Sequence, residues 1–166
     1  MCQWCAGDEE VRGDFSIVAR PAQKVVGRLW EGTYSQAAAG AIHAVLNEVK
    51  AFSGGLPDLW AGPLVGISWN DRPDGFRYFV GVETNMETGV ASDWMRLSLP
   101  EMRLVTSWHS NQDGDVNDHY VRMIRWLEAG GHRWDKSLLH HREEYPPHAD
   151  FSQAPVLRLM LPLAAA

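Results

Sequence analysis

The sequence has 166 residues, about one domain of ordinary size, and 15 basic against 21 acidic residues give a formal charge of −6. That balance lacks the clustered lysine and arginine of a nucleic-acid binder, and a composition 45% hydrophobic and 22% charged excludes wholesale disorder. No apolar run approaches the ~18 residues of a membrane span, and Met1–Glu10 lacks the basic-then-apolar order of a secretory signal; a cytoplasmic protein without membrane contact is expected.

Residues 1–14 read as a polar N-terminal arm. Its Cys2-Gln-Trp-Cys5 has the spacing of half a zinc site or a redox pair, but no second cysteine pair exists, so two incidental thiols are expected. Phe15–Arg20 reads as a strand and Lys24–Glu31 as a second, with Pro21-Ala-Gln as the turn between them. The apolar spacing then turns helical at Ala38, Ile42, Val45, Leu46, Val49 and Phe52, behind a capping box at Thr33-Tyr-Ser-Gln36 and before a Gly54-Gly55 stop. Leu64–Trp69 and Phe76–Glu83 read as a strand pair joined by the turn formers of Asn70–Gly75, and 84–93 as a link.

The plan then recurs. Trp94–Leu99 and Met102–His109 read as strands around Pro100. Asp115 caps a helix with apolar positions Val116, Tyr120, Met123, Ile124 and Leu127, ending at Gly130-Gly131. Leu138–Tyr145 and Val156–Leu163 read as the last strands. Two β-β-α-β-β units follow one another, and Pro21 and Pro100 mark an offset of 79 residues. We expect an α+β fold, a duplicated βαββ pseudo-two-fold repeat of two antiparallel sheets, each with a helix on it, around a central ligand cleft. The single domain spans 15–163, with halves at about 15–84 and 94–163.

Several segments carry a family resemblance. They are Val25-Val-Gly-Arg-Leu-Trp-Glu-Gly-Thr-Tyr34, Phe76-Arg-Tyr-Phe-Val-Gly-Val82, Arg125-Trp-Leu-Glu128 before Gly130-Gly131, Glu143-Glu-Tyr145, and Val156–Pro162. In this order the chain resembles the GyrI-like family (SOUL/GyrI-like fold), the effector-binding domains of bacterial multidrug-responsive, AraC-type regulators and their stand-alone relatives. The resemblance implies an aromatic cleft that takes lipophilic, cationic, drug-like molecules, with a carboxylate as counter-charge; Glu143 is the matching position. The chain departs from the pattern after its sixth strand, where Ser110-Asn-Gln-Asp-Gly-Asp115 replaces the family's Gly-x-Tyr. It also has no room for a helix-turn-helix, so direct DNA binding is not expected.

Glu143 shares a strand face with Leu139, His141 and Tyr145 at period two, leaving Glu144 on the other face. Trp30, Tyr34, Trp69, Tyr78, Trp94 and Trp108 are candidates to line a pocket with Tyr145 and His141, and are equally the filling of a small core. The expected ligand-binding set is Glu143, Tyr145, Trp30, Tyr34, Trp69, Tyr78, Trp108 and His141. Seven histidines are present, but adjacent His140 and His141 point to opposite strand faces and no His-x-x-x-His lies on a helix, so no metal is expected. His109 with Glu143 is a conceivable acid–base pair. Gln112–Asp118 lacks the calcium-loop spacing, and no nucleophile motif, phosphate loop or dinucleotide fingerprint occurs, so no cofactor is expected.

The first reading is a stand-alone domain binding an amphipathic, cationic small molecule. The second, implied by the resemblance to stand-alone family members, is a hydrolase of electrophilic, cyclopropanoid toxins, with Glu143 as the catalytic group. The third is a protein-binding protein like the family's gyrase inhibitors, and tetrapyrrole binding, as in SOUL domains, is a fourth.

Overall fold

In the computed structural model the described residues are 15–54, 62–84, 93–146, 149–154 and 156–165. The N-terminal arm with Cys2 and Cys5, most of the 84–93 link, Gly55 and His148 lie outside them. The strands are β1 (Ser16–Arg20), β2 (Gln23–Thr33), β3 (Leu64–Arg72), β4 (Gly75–Glu83), β5 (Met95–Leu99), β6 (Met102–His109), β7 (His141–Tyr145) and β8 (Leu157–Pro162). The helices are α1 (Tyr34–Ala38), α2 (Ala41–Gly54) and α3 (Val116–Ala129), with a 3-10 turn at Asn111–Asp113. The class is α+β and the element order is the duplicated one.

The expected two sheets are joined into one curled antiparallel sheet of order β1-β6-β8-β7-β3-β4-β2-β5. The order reads the same from either end once each strand is exchanged for its repeat partner. The pseudo-two-fold axis therefore crosses the β3–β7 seam, where Val65 pairs with Glu144 and Gly66 with Glu143. At the offset of 79 residues Val65 and Glu144 are equivalent, which places the axis at that pair.

The outer strands are exchanged. β1 pairs with β6 of the other half and β5 with β2, so the Pro21 and Pro100 links are crossovers and not hairpin turns. Proline lacks a ladder N–H and ends each edge strand before it can turn back on its neighbour.

The first helix is broken where the periodicity predicts one run. The Thr33 capping box forms as expected, but Gly40 at φ +91° separates α1 from α2. That left-handed backbone suits glycine and stops helical hydrogen bonding. Asp115 caps α3 by accepting from the Asn117 and Asp118 amides, and Gly131 at φ +80° follows its end.

β7 starts three residues later than its pattern predicts. Trp69 Nε1 donates to the Leu138 carbonyl at 2.8 Å and Trp134 Nε1 to that of His140 at 2.9 Å. Indoles thus take carbonyls that a strand would use. The irregular entry also moves Leu139 off the expected Glu143 face, into the apolar cluster of Val25, Val65, Ile67 and Phe79.

The helices cover one face of the sheet, where Leu46, Val49, Met123 and Leu127 pack on Val26, Val80, Val105 and Leu159. The other face is also buried. Within it Glu144 accepts from Arg20 Nη2 at 2.7 Å and from Arg142 Nη2 at 2.7 Å, and Arg142 also donates to Gln23. Arg142 and Glu144 are both fully buried. Burial pushes the Glu144 carboxyl up, but the Arg20 hydrogen bonds and the two guanidinium charges outweigh it and hold the carboxyl below its usual range.

Candidate functional site

Glu143 stands on the helix-covered face of β7, at the seam of the two halves. Its Oε2 accepts from Tyr78 Oη at 2.6 Å and from Tyr145 Oη at 3.0 Å, and its Oε1 accepts from Tyr120 Oη at 2.9 Å. The Tyr78 and Tyr145 hydroxyls also meet each other at 2.9 Å. The strand order puts β3 between Tyr78 on β4 and Glu143 on β7. Gly66 on β3 is the gap: a Cβ there would run into the Tyr78 hydroxyl. A glycine inside a strand here permits a side chain to cross over it.

Burial pushes all three tyrosines well above their ordinary range, and the Glu143 charge adds to this. They remain phenols, able to donate to a carboxylate. The arrangement thus holds one negative group with three oriented donors in a mainly apolar wall.

His141, two residues away on the same face, packs against the Tyr120 ring at 4.4 Å and the Trp134 ring at 5.2 Å, and its Nδ1 is 3.0 Å from Ser68 Oγ. Burial, then the charges of His140 and Lys136, lower it to about 4, so it is neutral at pH 7.

A cleft of about 340 Å³ opens over Glu143 and Tyr145, between α1–α2 and the start of α3; Ile42, Leu46, Val116, Phe151 and Leu157 give it apolar walls, and His43, His109 and Asn111 lie among its polar lining. A second cavity, of about 370 Å³, lies between Pro100–Arg103, Asp135–Leu139 and the C-terminal Pro162–Ala165, and includes none of the Glu143 partners. The first has the convergent polar groups that mark a binding site.

Of the expected set, Glu143 and Tyr145 line the cleft; Tyr78 meets Glu143 through its hydroxyl and His141 meets Tyr120, but neither lines the cleft. Trp30 and Tyr34 pack at a tilt against Phe76 at 5.3 and 5.5 Å, and Phe76 meets Tyr78 edge-on at 6.2 Å. This aromatic row leads away from Glu143, and neither Trp30 nor Tyr34 lines the cleft. Trp94 packs on Phe52 at 4.8 Å. Two expected members are corrected. Trp69 and Trp108 fall on the opposite face of the sheet, each under an arginine: Arg77 at 5.1 Å from the Trp69 ring and Arg158 at 4.9 Å from the Trp108 ring. Strand alternation explains both, since Ser68 and Ser107 take the cleft face beside them.

Tyr120 is the contributor that sequence reasoning missed. It reads there as one more apolar position of an amphipathic helix, and its hydroxyl is the available signal. Among the described residues one group has the composition of a metal site, namely His109, Asp113 and His119. Its members come from a strand, a 3-10 turn and a helix, so no short spacing reveals it.

Residues 13–164 match the family model of the GyrI-like small molecule binding domain. The chain belongs to this family. No curated protein matches the sequence significantly. Among solved structures, SAV2435 bound to tetraphenylphosphonium is similar at TM-score 0.67 and 13% identity, over 92% of this chain and 94% of that one. The EcmrR C-terminal domain is similar at TM-score 0.65 and 14% identity, over 92% and 98% of the two chains. A hydrolase from Listeria innocua is similar at TM-score 0.64 and 15% identity, over 92% and 93%. These likenesses carry the fold. The GyrI-like domain described here is a small-molecule-binding domain, with Glu143 at the seam of its two halves.

Proposed function

We propose that the cleft binds an amphipathic, lipophilic cation of drug-like size, with Glu143 as counter-charge. The observation that carries this reading is one carboxylate at the base of a mainly apolar cleft of about 340 Å³, within the size range of small-molecule sites. The Tyr145 and Phe151 rings beside it add attraction for a cation, ~0.5–2 kcal/mol each. The ligand named for SAV2435 is itself a lipophilic cation, which supports the same class here. A formal charge of −6 favours this partner over DNA, and the same reading places the protein in the cytoplasm.

The test is titration of tetraphenylphosphonium and the neutral triphenylphosphine oxide into wild type and Glu143→Gln, followed by tryptophan fluorescence. Saturable binding that prefers the cation, and that weakens about tenfold or more in Glu143→Gln for the cation alone, is expected. Equal affinities in the two proteins would overturn the counter-charge role. The Listeria innocua neighbour keeps a hydrolase as the second reading, with Glu143 positioning water. Chromatography of electrophilic compounds incubated with the protein separates turnover from binding.

A further inference from the structure

The loop that departs from the family pattern, Ser110–Asp115, brings a carboxylate up to two buried histidines. His109 ends β6 and His119 sits in the first turn of α3. Their Nδ1 atoms face each other at 2.9 Å, with both side chains at least nine-tenths buried. A ligating oxygen of Asp113 and a nitrogen of each histidine all lie within 4.8 Å of one another. We propose that His109, Asp113 and His119 form a divalent transition-metal site of the zinc type at the edge of the cleft.

The geometry supports this at each ligand. Two nitrogens bound at ~2.0–2.1 Å to a tetrahedral zinc lie ~3.3 Å apart, so the histidines need to separate by only a few tenths of an ångström. Metal binding replaces the present His109–His119 hydrogen bond, and both imidazoles turn so that their Nδ1 lone pairs converge on the ion. His119 Nε2 is 2.9 Å from Ser107 Oγ, which can accept from Nε2–H when Nδ1 binds a metal. Asp113 Oδ2 accepts from the Ser110 amide at 2.8 Å and the Ser110 hydroxyl at 3.0 Å, which orients the carboxylate. Two imidazoles and one carboxylate suit Zn²⁺ and its neighbours better than calcium or magnesium. Three protein ligands leave a further position for water or a Lewis-basic ligand group, and His109 also lines the cleft that holds Glu143.

The experiment uses the full chain with Cys2→Ser and Cys5→Ser, which removes the other pair of metal-seeking groups. After chelator treatment, Zn²⁺ is titrated by calorimetry, and Co²⁺ by its visible d–d absorption. One metal per chain is expected, with the spectrum of a low-coordinate nitrogen–oxygen site and no sulfur charge-transfer band. Asp113→Asn and His109→Asn, both at the edge of the cleft, are expected to weaken binding about tenfold or more, and His140→Ala is expected to leave it unchanged. Circular dichroism of each variant confirms folding, and the parent's Co²⁺ spectrum stands whether or not His119→Gln folds. Absence of stoichiometric binding to the folded parent, or an unchanged affinity in either Asp113→Asn or His109→Asn, overturns the site.

Discussion

The Tyr78 hydroxyl donates to the Glu143 carboxylate at 2.6 Å by passing over the bare backbone of Gly66, on the strand between them. This link ties the two halves of the repeat to one charge. Gly66→Ala is therefore expected to push the phenol off the carboxylate and to destabilise the fold by about 1–3 kcal/mol, through overpacking and a lost hydrogen bond. Urea denaturation gives the stability change. Weaker tetraphenylphosphonium binding is expected with it, and an unaltered protein would show that Tyr78 accommodates the methyl elsewhere.

Among the described residues, Tyr120 is the only donor to Glu143 that comes from a helix. Tyr120→Phe keeps the ring over His141 and removes the hydroxyl. A stability loss of about 1 kcal/mol is expected for the half-buried carboxylate oxygen that loses this donor. Cation affinity should stay within a few-fold, because ring and charge both remain. Chemical denaturation and fluorescence titration of the same variant separate the two effects.

His141 makes stability depend on pH. Its folded value is about 4, while an unfolded histidine titrates near ~6.5. Between these values the unfolded chain takes up a proton that the folded one excludes. Its contribution thus leaves stability unaffected above pH ~6.5, lowers it as pH falls toward 4, and adds nothing further below. The full loss is on the order of 3 kcal/mol. Denaturation at pH 7 and pH 5 is expected to show this slope in wild type and a flatter one in His141→Gln, whose amide can still meet Ser68.

Glu144 carries the largest expected stability effect and no expected binding effect. Glu144→Gln leaves the buried Arg20 and Arg142 charges without a counter-ion, at a cost of about 3–5 kcal/mol. Because the carboxyl is held below its ordinary value, its contribution is present above pH ~4.5 and is lost as pH falls through the folded value. Cation affinity per folded molecule should equal that of wild type, since Glu144 lies on the far face of the sheet. A tenfold change in affinity would show that the two faces communicate.

Much of the fold is legible in the chain because its causes are local. The Thr33–Gln36 capping box, the Asp115 cap, the Pro73-Asp74 turn between β3 and β4 and the glycine stop after α3 each act within a few residues. Their order alone exposes the duplication. Period-two alternation also separates Glu143 and Tyr145 from Glu144, as the ladder confirms. Alternation equally puts Trp69 and Trp108 on the far face, but the sequence does not say which face of β3 or β6 looks toward the cleft.

What the chain by itself determined was the order of its strands and helices and their duplication, while Glu143 as a cleft carboxylate came from the family resemblance. Strand neighbours were decided by tertiary structure, because each residue's period shows a buried face and not the partner that buries it. That is why β1 crosses to β6, why Gly66 becomes the passage for Tyr78, and why Tyr120 reaches Glu143 from α3. Among the described residues, His109, Asp113 and His119 converge for the same reason: they sit on three elements, and only packing α3 against the end of β6 brings their ligating atoms together.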